Sequence, residues 1–344
     1  MDDVNTKRER DDPATEIPAT SETGRRTWWR WLKFVVIPVA ILYLGDFGYS
    51  RYANWKHDQW EQTIQRDANG VMQDCDAFTI ASAPDDGDRN VDSDNDVNSG
   101  TAILLLHGIN ETPFTYQRMG NALSQKGFHV RAMRMPGFGE PIEVYGSTTA
   151  DDWIGAVEDE ARKLRSNHDR VFIVAHSLGG AVTIQTLLRA GDKQDDLFDG
   201  LILLAPAIEV SSRRSPILKT QTWHSISSVL LFTRFTYSPF QPDTQDPELL
   251  DFPNRIPVTP RSVINETFRL IDSNRNREAE ITLPVLLVLS ERDQVNDHEA
   301  SQNWFDKIGS ERKQLIWNNR SGHQLPCDFG WDDIVAEIVR FTKP

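Results

Sequence analysis

The sequence predicts an α/β domain built on a mostly parallel sheet. The chain of 344 residues contains short, mainly apolar runs, such as residues 101–106, 171–174 and 283–289, and helix-forming segments separate them. Such runs are typical of parallel strands that helices cover on both faces. Small or polar residues follow several of the runs, which indicates functional loops at the carboxyl ends of the strands. The hydrophobic content of 39% can fill the core of one large domain.

Residues 175–180 are the most informative segment, and Ser177 lies at their centre. The apolar run 171–174 precedes them and the helix-forming segment 181–189 follows. Strand, tight turn with a central serine, and helix together are typical of a nucleophile elbow, which exposes a serine hydroxyl at the end of a sheet. Ala175 replaces the first glycine of the usual pattern, at a position that must be small. The alternative is a serine that caps an ordinary helix.

The first apolar run ends in the loop 107–110, which contains a glycine. A glycine lets this loop fold back, so that one backbone N–H can face the serine. We expect the N–H groups of Ile109 and Leu178 to form an oxyanion hole. His107 and His176 are interpreted as structural hydrogen-bonding residues, and the side chain of His176 is predicted to point away from the site.

An acid and a base are expected later in the chain, beyond the ends of further strands. Asp293 follows the run 283–289, and His323 lies in a polar loop after the run 313–317. We expect His323 to take the proton from Ser177, and Asp293 to orient the imidazole. A surface-loop histidine is the alternative interpretation of His323. The alternative acids are Glu291 and Asp297.

With these motifs the chain resembles the α/β-hydrolase superfamily, and more narrowly the bacterial carboxylesterase and monoacylglycerol-lipase group, often labelled serine aminopeptidase-like hydrolases. The resemblance runs from about Gly70 to the C-terminus, and residues 113–114, 134–139, 149–153 and 203–207 also carry it. It implies an eight-stranded, mostly parallel sheet, a cap inserted between two late strands, hydrolysis of carboxylic esters and no cofactor. Two positions depart from the family: Phe138 stands in place of a usual histidine, and Asn110 in place of a small residue or threonine.

Residues 208–281 are expected to form the cap, within a hydrolase domain at 70–344. The cap contains a strongly apolar, helix-like stretch with Trp223 and Phe232. Such a stretch packs on the core, or forms an acyl-binding wall above the serine, or both. We therefore expect Trp223 and Phe232 to contact the substrate, and Phe138 as well, because the resemblance places its loop near the site.

The N-terminal region is predicted to be separate from this domain. Residues 1–27 are polar and charged and indicate a disordered tail. Residues 28–45 predict a membrane-spanning anchor, because an apolar run reaches roughly the 17-residue lower limit and has basic and aromatic flanks. Residues 46–69 are expected to form a helix that connects anchor and domain. The basic flank places the hydrolase domain outside the cytoplasm. A cleaved signal peptide, which would leave a secreted or periplasmic protein, and a buried helix are the alternatives.

Composition and charge exclude several classes of binding partner. The net charge of −14 argues against nucleic-acid binding and against an extended basic patch for anionic lipid. Asp92, Asp94 and Asp96 imitate the start of a calcium loop, but the glycine and glutamate that the loop requires are absent, so no metal is expected. Cys75 and Cys327 permit either two separate thiols or one disulfide.

The sequence thus predicts a membrane-anchored serine hydrolase for carboxylic esters, with apolar acyl chains favoured. A peptidase, a thioesterase or an acyltransferase would form the same acyl-enzyme, so these remain alternatives. A catalytically inactive binding protein is a further alternative, which the presence of all of Ser177, Asp293 and His323 disfavours.

Overall fold

The structure, a computed structural model, describes residues 22–82, 100–213, 215, 218–250 and 255–343, with side chains from Leu32 onward. The chain divides into two compact units, residues 1–47 and 48–344. The described part of the larger unit contains a seven-stranded sheet and a separate two-stranded sheet.

The elements are numbered in chain order. The strands are β1 (Phe78–Ile80), β2 (Thr101–Leu106), β3 (His129–Met133), β4 (Arg170–His176), β5 (Gly200–Leu204), β6 (Phe235–Tyr237), β7 (Val258–Pro260), β8 (Val285–Leu289) and β9 (Lys313–Trp317). The helices are α1 (Glu22–Glu61), α2 (Gln117–Ser124), α3 (Ile142–Ser147), α4 (Ala150–Arg165), α5 (Leu178–Ala190), α6 (Thr220–Leu230), α7 (Arg261–Asn274), α8 (His298–Lys307) and α9 (Trp331–Phe341).

The main sheet has the strand order β1-β3-β2-β4-β5-β8-β9. Only β1 is antiparallel to its neighbour, so the predicted mostly parallel sheet is confirmed. Every residue of β2, β5 and β8 is buried, because α4, α5 and α7 cover one face and α2 and α9 cover the other. The carboxyl ends of β2, β4, β8 and β9 therefore meet at one edge of the sheet.

The resemblance implies eight strands, whereas the described residues form seven in the main sheet. Before β1 the chain makes only an isolated bridge between Arg66 and Met72. Here the carboxylate of Asp67 accepts hydrogen bonds from the N–H groups of Asn69 and Val71, both at 2.8 Å. These local bonds satisfy the backbone in a compact turn, so this stretch does not extend into a strand.

The predicted cap region, 208–281, lies between β5 and β8 and contains α6, the antiparallel pair β6–β7 and α7. Helix α7 packs against the core through Val263, Leu270 and Ile271. This end of the insertion thus belongs to the helical layer over the sheet. Every residue of α6, in contrast, keeps some exposure to solvent.

Helix α1 runs without interruption through the predicted boundary at residue 45. Its stretch Leu32–Glu61 is long and apolar enough to cross a membrane, and only 6% of its apolar window is buried. A signal sequence near an N-terminus has the same features. Of the predicted disordered tail, residues 1–21 lie outside the described residues, while residues 22–27 belong to α1. The calcium-like stretch around Asp94 also lies outside the described residues.

Candidate active site

Ser177 occupies the sharp turn between β4 and α5. Its backbone has φ 50° and ψ −117°, a region that a side chain larger than hydrogen strains. A Cβ at Gly179 would lie 2.6 Å from the carbonyl oxygen of His107, and one at Gly180 would lie 2.8 Å from Cβ of Pro206. The turn therefore requires glycine at both positions, because the helix starts directly against the neighbouring loops.

The serine, histidine and aspartate that the sequence singled out lie together at this edge of the sheet. Nε2 of His323 is 3.0 Å from Oγ of Ser177, and Nδ1 of His323 is 2.8 Å from Oδ2 of Asp293. All three residues are buried. The other oxygen of Asp293 accepts from the N–H groups of Val295 and Asn296, at 2.7 and 2.9 Å, and these bonds fix the carboxylate towards the imidazole.

The alternative acids lie elsewhere. Asp297 caps the N-terminus of α8, where its side chain accepts a hydrogen bond from the N–H of Ala300 at 3.0 Å. Glu291 is exposed to solvent. The geometry thus favours Asp293 as the partner of His323.

Burial and neighbouring charges shift the pKa of His323 in opposite directions. Burial lowers the pKa of His323, but the charge and hydrogen bond of Asp293, together with the charges of Glu111 and Asp243, outweigh burial and raise this pKa above its ordinary value of 6.5. Burial likewise raises the pKa of Asp293, but the charge and hydrogen bond of His323, together with the backbone hydrogen bonds from Asn296 and Val295, outweigh burial and lower that pKa. The pair therefore favours an ionised carboxylate beside an imidazole that binds a proton readily.

The loop after β2 passes directly beside the serine. A Cβ at Gly108 would lie 3.0 Å from Cβ of Ser177, so the backbone leading to Ile109 approaches the nucleophile turn, as the sequence predicts. Leu178 is the first residue of α5, where backbone N–H groups have no partner within the helix. Both N–H groups that the sequence assigned to the oxyanion hole therefore belong to segments that border Ser177.

His107 has the structural role expected of it. Its Nε2 accepts a hydrogen bond from the N–H of Met135 at 3.1 Å, and its Nδ1 donates to the carbonyl of Gly108 at 2.9 Å. Complete burial lowers the pKa of His107 to about 4. The neutral imidazole thus fastens two loops together.

His176 differs from its prediction, because its side chain turns towards the site. Its Nε2 lies 2.9 Å from the carbonyl oxygen of His323, and the two rings are 4.7 Å apart at their centroids. Its Nδ1 lies 2.9 Å from Oε2 of Glu111. The ring therefore lies between the loop of Glu111 and the loop of His323. His176 supports the loop that carries His323.

Glu111 is a buried carboxylate that the sequence reasoning missed. Its Oε2 also accepts from the N–H of Gly108 at 2.9 Å, and its Oε1 accepts from the side chain of Gln324 at 2.9 Å. Burial raises the pKa of Glu111, but the charge and hydrogen bond of His176 outweigh burial and lower it to about 2. One carboxylate thereby ties together the loop of the expected oxyanion hole, the elbow and the loop of His323.

Asn296 is the second residue that was missed. Its side-chain amide donates to the carbonyl of Ala205 at 2.8 Å and lies 3.4 Å from Oγ of Ser177. The available signal was a polar residue three positions after Asp293, at the end of the same loop.

The three expected substrate contacts lie in two different environments. Phe138 is fully buried against the rings of His107 and Tyr145, at centroid distances of 4.9 and 4.6 Å. It therefore supports the loop, since it has no surface left for a ligand. Trp223 and Phe232 are on the outside of the cap region, with 43% and 74% of their surfaces exposed.

A pocket lies beside the His323 loop. It is small, with a volume of about 20 Å³, and is lined mainly by apolar surface, with Glu111, Gln324, Asn110 and Arg255 among its polar residues. Cys327 also lines this pocket, while Cys75 lies elsewhere; the two are separate buried thiols rather than a disulfide. The described residues contain no group of three or more His, Cys, Asp or Glu that could hold a metal ion.

Comparisons with known proteins agree with this architecture. The profile of the family described as Serine aminopeptidase, S33 (Hydrolase_4) matches residues 98–328, well over half of the chain. A carboxylesterase of Bacillus subtilis (strain 168) is 23% identical over 246 residues, which cover 70% of this chain and 92% of the relative. A thermostable monoacylglycerol lipase of Bacillus sp. (strain H-257) is 22% identical over 248 residues, covering 71% of this chain and 91% of the relative.

Solved structures show the same fold. A monoacylglycerol lipase of Paleococcus ferrophilus has a TM-score of 0.62 at 17% identity, over 77% of this chain and 96% of that chain. A soluble variant of monoglyceride lipase from Saccharomyces cerevisiae has a TM-score of 0.65 at 16% identity, over 77% of this chain and 90% of that chain. The chain therefore belongs to the serine aminopeptidase S33 (Hydrolase_4) family and has an α/β-hydrolase fold of the esterase and lipase type.

Proposed function

We propose that the protein hydrolyses carboxylic esters through an acyl-enzyme on Ser177, with His323 as general base and acid and Asp293 as the group that orients it. The hydrogen-bonded chain from Oγ of Ser177 through the imidazole to Oδ2 of Asp293 carries this proposal. A nucleophile, a base and an orienting acid within hydrogen-bond distance are the parts that acyl transfer requires.

The reaction follows from these contacts. Oγ of Ser177 attacks the carbonyl carbon of the ester while Nε2 of His323 takes its proton. The N–H groups of Ile109 and Leu178 stabilise the negative oxygen of the tetrahedral intermediate. The intermediate expels the alcohol, which receives the proton from His323. A water molecule, deprotonated by His323, then attacks the acyl-enzyme and releases the carboxylic acid and the serine.

The proposed substrates are lipid-type esters with apolar acyl chains. The apolar lining of the small pocket beside His323 agrees with this choice. So do the names of the similar proteins, one a carboxylesterase and another a monoacylglycerol lipase. The family description favours an aminopeptidase as a second candidate. Glu111, a buried carboxylate beside the site, already accepts three hydrogen bonds, so it is poorly suited to bind the α-ammonium of a peptide. A panel of aminoacyl anilides and fatty-acid esters separates the two candidates.

We further propose that the apolar part of α1 anchors the protein in a membrane, with the hydrolase domain on the extracytoplasmic side. Its length and composition support a span, and Arg25, Arg26, Arg30 and Lys33 near its start support a cytoplasmic N-terminus. The anchor predicts that the protein stays with membranes through an alkaline wash and retains residue 1. Soluble protein that lacks about the first fifty residues would identify a cleaved signal instead.

The decisive test of the nucleophile is Ser177→Ala. We expect it to reduce the turnover of a p-nitrophenyl ester by about 10⁴- to 10⁶-fold, with an unchanged circular dichroism spectrum. The matched control is Ser166→Ala, on the surface after α4, which should keep normal turnover. Normal turnover of the Ser177 variant would contradict the proposal.

A further inference from the structure

Helix α6 presents an apolar stripe to solvent. The opposite side of the helix packs on α7, where the ring of His224 stacks on Phe268 at a centroid distance of 4.1 Å. The helix contains no Asp, Glu, Lys or Arg, and Val229 has 79% of its surface exposed. With Phe232 just beyond the helix, the exposed apolar residues form a surface that we name the cap face: Trp223, Ile226, Val229, Leu230 and Phe232.

A second exposed stripe borders the cap face. On the last turns of α1, Tyr49, Tyr52 and Trp55 are exposed at helical spacing. The hydroxyl of Ser50 lies 3.0 Å from that of Thr233, the residue after Phe232. The α1 stripe therefore adjoins the cap face. A contiguous apolar surface of this kind marks an interaction site, whereas single exposed apolar residues do not.

The chain segment that contains the cap face is basic, although the whole chain is acidic. Residues 210–240 contain four basic residues and no Asp or Glu, although the chain has a net charge of −14. The basic residues are Arg213, Arg214, Lys219 and Arg234. An apolar helix face with basic flanks is typical of helices that lie in the interface of an anionic bilayer.

The position of the cap face in the chain favours a bilayer over a protein partner. The predicted span ends at residue 45, and Tyr49 begins the exposed aromatic stripe four residues later. Chain connectivity alone thus holds this stripe close to the membrane surface. We propose that the cap face rests on an anionic lipid surface, from which the cap region receives its ester substrate. This inference rests on the anchor and the hydrolase activity proposed above.

The cap region also reaches the catalytic loop, so docking would bring the bilayer close to the chemistry. The carbonyl oxygen of Asp243 accepts hydrogen bonds from the N–H groups of His323 and Gln324, at 2.9 and 3.2 Å. The carboxylate of the same residue accepts from the N–H of Gln294 at 2.7 Å. One residue of the cap region therefore fastens both loops that carry the base and the acid.

The test places an environment-sensitive NBD fluorophore on the cap face of the full chain. The variant Val229→Cys offers an exposed thiol, while Cys75 and Cys327 are buried. The labelled protein is reconstituted into vesicles of phosphatidylcholine and phosphatidylglycerol that contain a nitroxide-labelled lipid. We expect a blue-shifted emission that the nitroxide quenches. The matched control, Asn167→Cys at the amino end of β4, lies at the other edge of the sheet and should remain unquenched.

A repeat with Leu230→Cys guards against a local artefact of one label. An unquenched, unshifted label at both positions overturns the inference. A blue shift of the emission that grows with the protein-to-lipid ratio but is not accompanied by quenching also overturns the inference, because a second copy of the protein would then cover the cap face. The alkaline wash tests the anchor separately. If the nitroxide quenches the label but the wash removes the protein from the membrane, docking of the cap face is still supported. If the protein resists the wash but the label is not quenched, the anchor is supported and the docking is refuted.

A second experiment measures ester hydrolysis by the variant Val229→Glu and by the control variant Asn167→Glu. We expect the cap variant to lose about tenfold in hydrolysis of monoacylglycerol presented in anionic vesicles, the effect of a modest change in binding free energy. Hydrolysis of soluble p-nitrophenyl acetate should stay unchanged in both variants. Equal loss on both substrates would overturn the docking role, and loss of all activity in the unmodified protein would refute the proposed function itself.

Discussion

Two buried histidine–carboxylate pairs lie next to each other at the elbow, and they differ in what the second ring nitrogen faces. In the pair His323–Asp293, Nε2 faces the hydroxyl of Ser177 at 3.0 Å. In the pair His176–Glu111, Nε2 faces the carbonyl oxygen of His323 at 2.9 Å. A hydroxyl can give up a proton to the imidazole, but a carbonyl oxygen can only accept one. An imidazole and a carboxylate therefore form the proposed catalytic base in one place and a support for that base in the other.

The supporting pair depends on an ionised carboxylate, that of Glu111. Glu111 accepts hydrogen bonds from three segments that meet at the serine. Hydrogen bonds to an ionised group are shorter and stronger than neutral ones. A carboxylate with a pKa lowered to about 2 keeps this network intact across the physiological range. A precise position of His323 is required because small displacements of reacting groups slow catalysis strongly.

The largest expected effect comes from breaking the catalytic pair. Asp293→Asn should reduce kcat by on the order of 10⁴-fold, because an amide stabilises the wrong tautomer of the imidazole. Steady-state hydrolysis of a p-nitrophenyl ester measures this loss. Glu291→Gln, a few residues away in the same loop, is the matched control and should keep normal turnover. The opposite pattern would make Glu291 the acid.

Breaking the supporting pair should affect stability more than chemistry. Glu111→Gln replaces hydrogen bonds to a buried charge, so we expect the free energy of unfolding to fall by about 2 kcal/mol. Urea unfolding followed by circular dichroism measures the change. The surface variant Glu158→Gln, which removes a partner of Arg162, should change it by less than about 0.5 kcal/mol. Equal stability of both variants would contradict the supporting role of Glu111.

A variant of Asn296 tests whether Ser177 needs a second hydrogen-bond partner besides His323. The amide of Asn296 lies 3.4 Å from Oγ of Ser177, so Asn296→Ala should lower kcat by about three- to tenfold, the equivalent of one neutral hydrogen bond. KM should hardly change, because the amide contacts the serine rather than a binding pocket. The exposed Asn303→Ala is the control. A variant with altered KM and normal kcat would assign Asn296 to substrate binding.

The smallest expected effect is a shift of the pH profile. The imidazole of His323 must be neutral to accept a proton, and its pKa is raised above 6.5. Activity should therefore fall as the pH drops through an apparent pKa above 6.5. Glu111 contributes to the raised pKa, so Glu111→Gln should move this acid limb to lower pH. A limb that moves to higher pH would contradict the electrostatic part of the account.

The sequence predicted the parts of the site that follow a local pattern. Ser177, Asp293 and His323 each come after an apolar run, and parallel strands bring their carboxyl ends to one edge. Glu111 and Asn296 were missed because their partners are distant: His176 is 65 residues from Glu111, and Ser177 is 119 residues from Asn296. No spacing in the chain marks such contacts.

Other differences between prediction and structure have causes of their own. Phe138 was expected at the substrate because its loop lies near the site in the family, yet its ring turns into the core against Tyr145. Loop proximity does not fix the direction of a side chain. Helix α1 is continuous from the predicted span to Glu61, so the predicted connecting helix begins as an extension of the span and not as a separate element. The described residues form seven strands of the main sheet and not the expected eight, and before β1 the chain makes a turn with hydrogen bonds to Asp67.

The most direct test of the central claim is the site at which a fluorophosphonate attaches. Peptide mass spectrometry of the inhibited protein should locate one phosphonate on Ser177, and the Asp293→Asn variant should react far more slowly with the same reagent. An adduct on any other serine, or equally fast labelling of the Asp293 variant, would contradict the assignment of His323 and Asp293 as the pair that activates the serine.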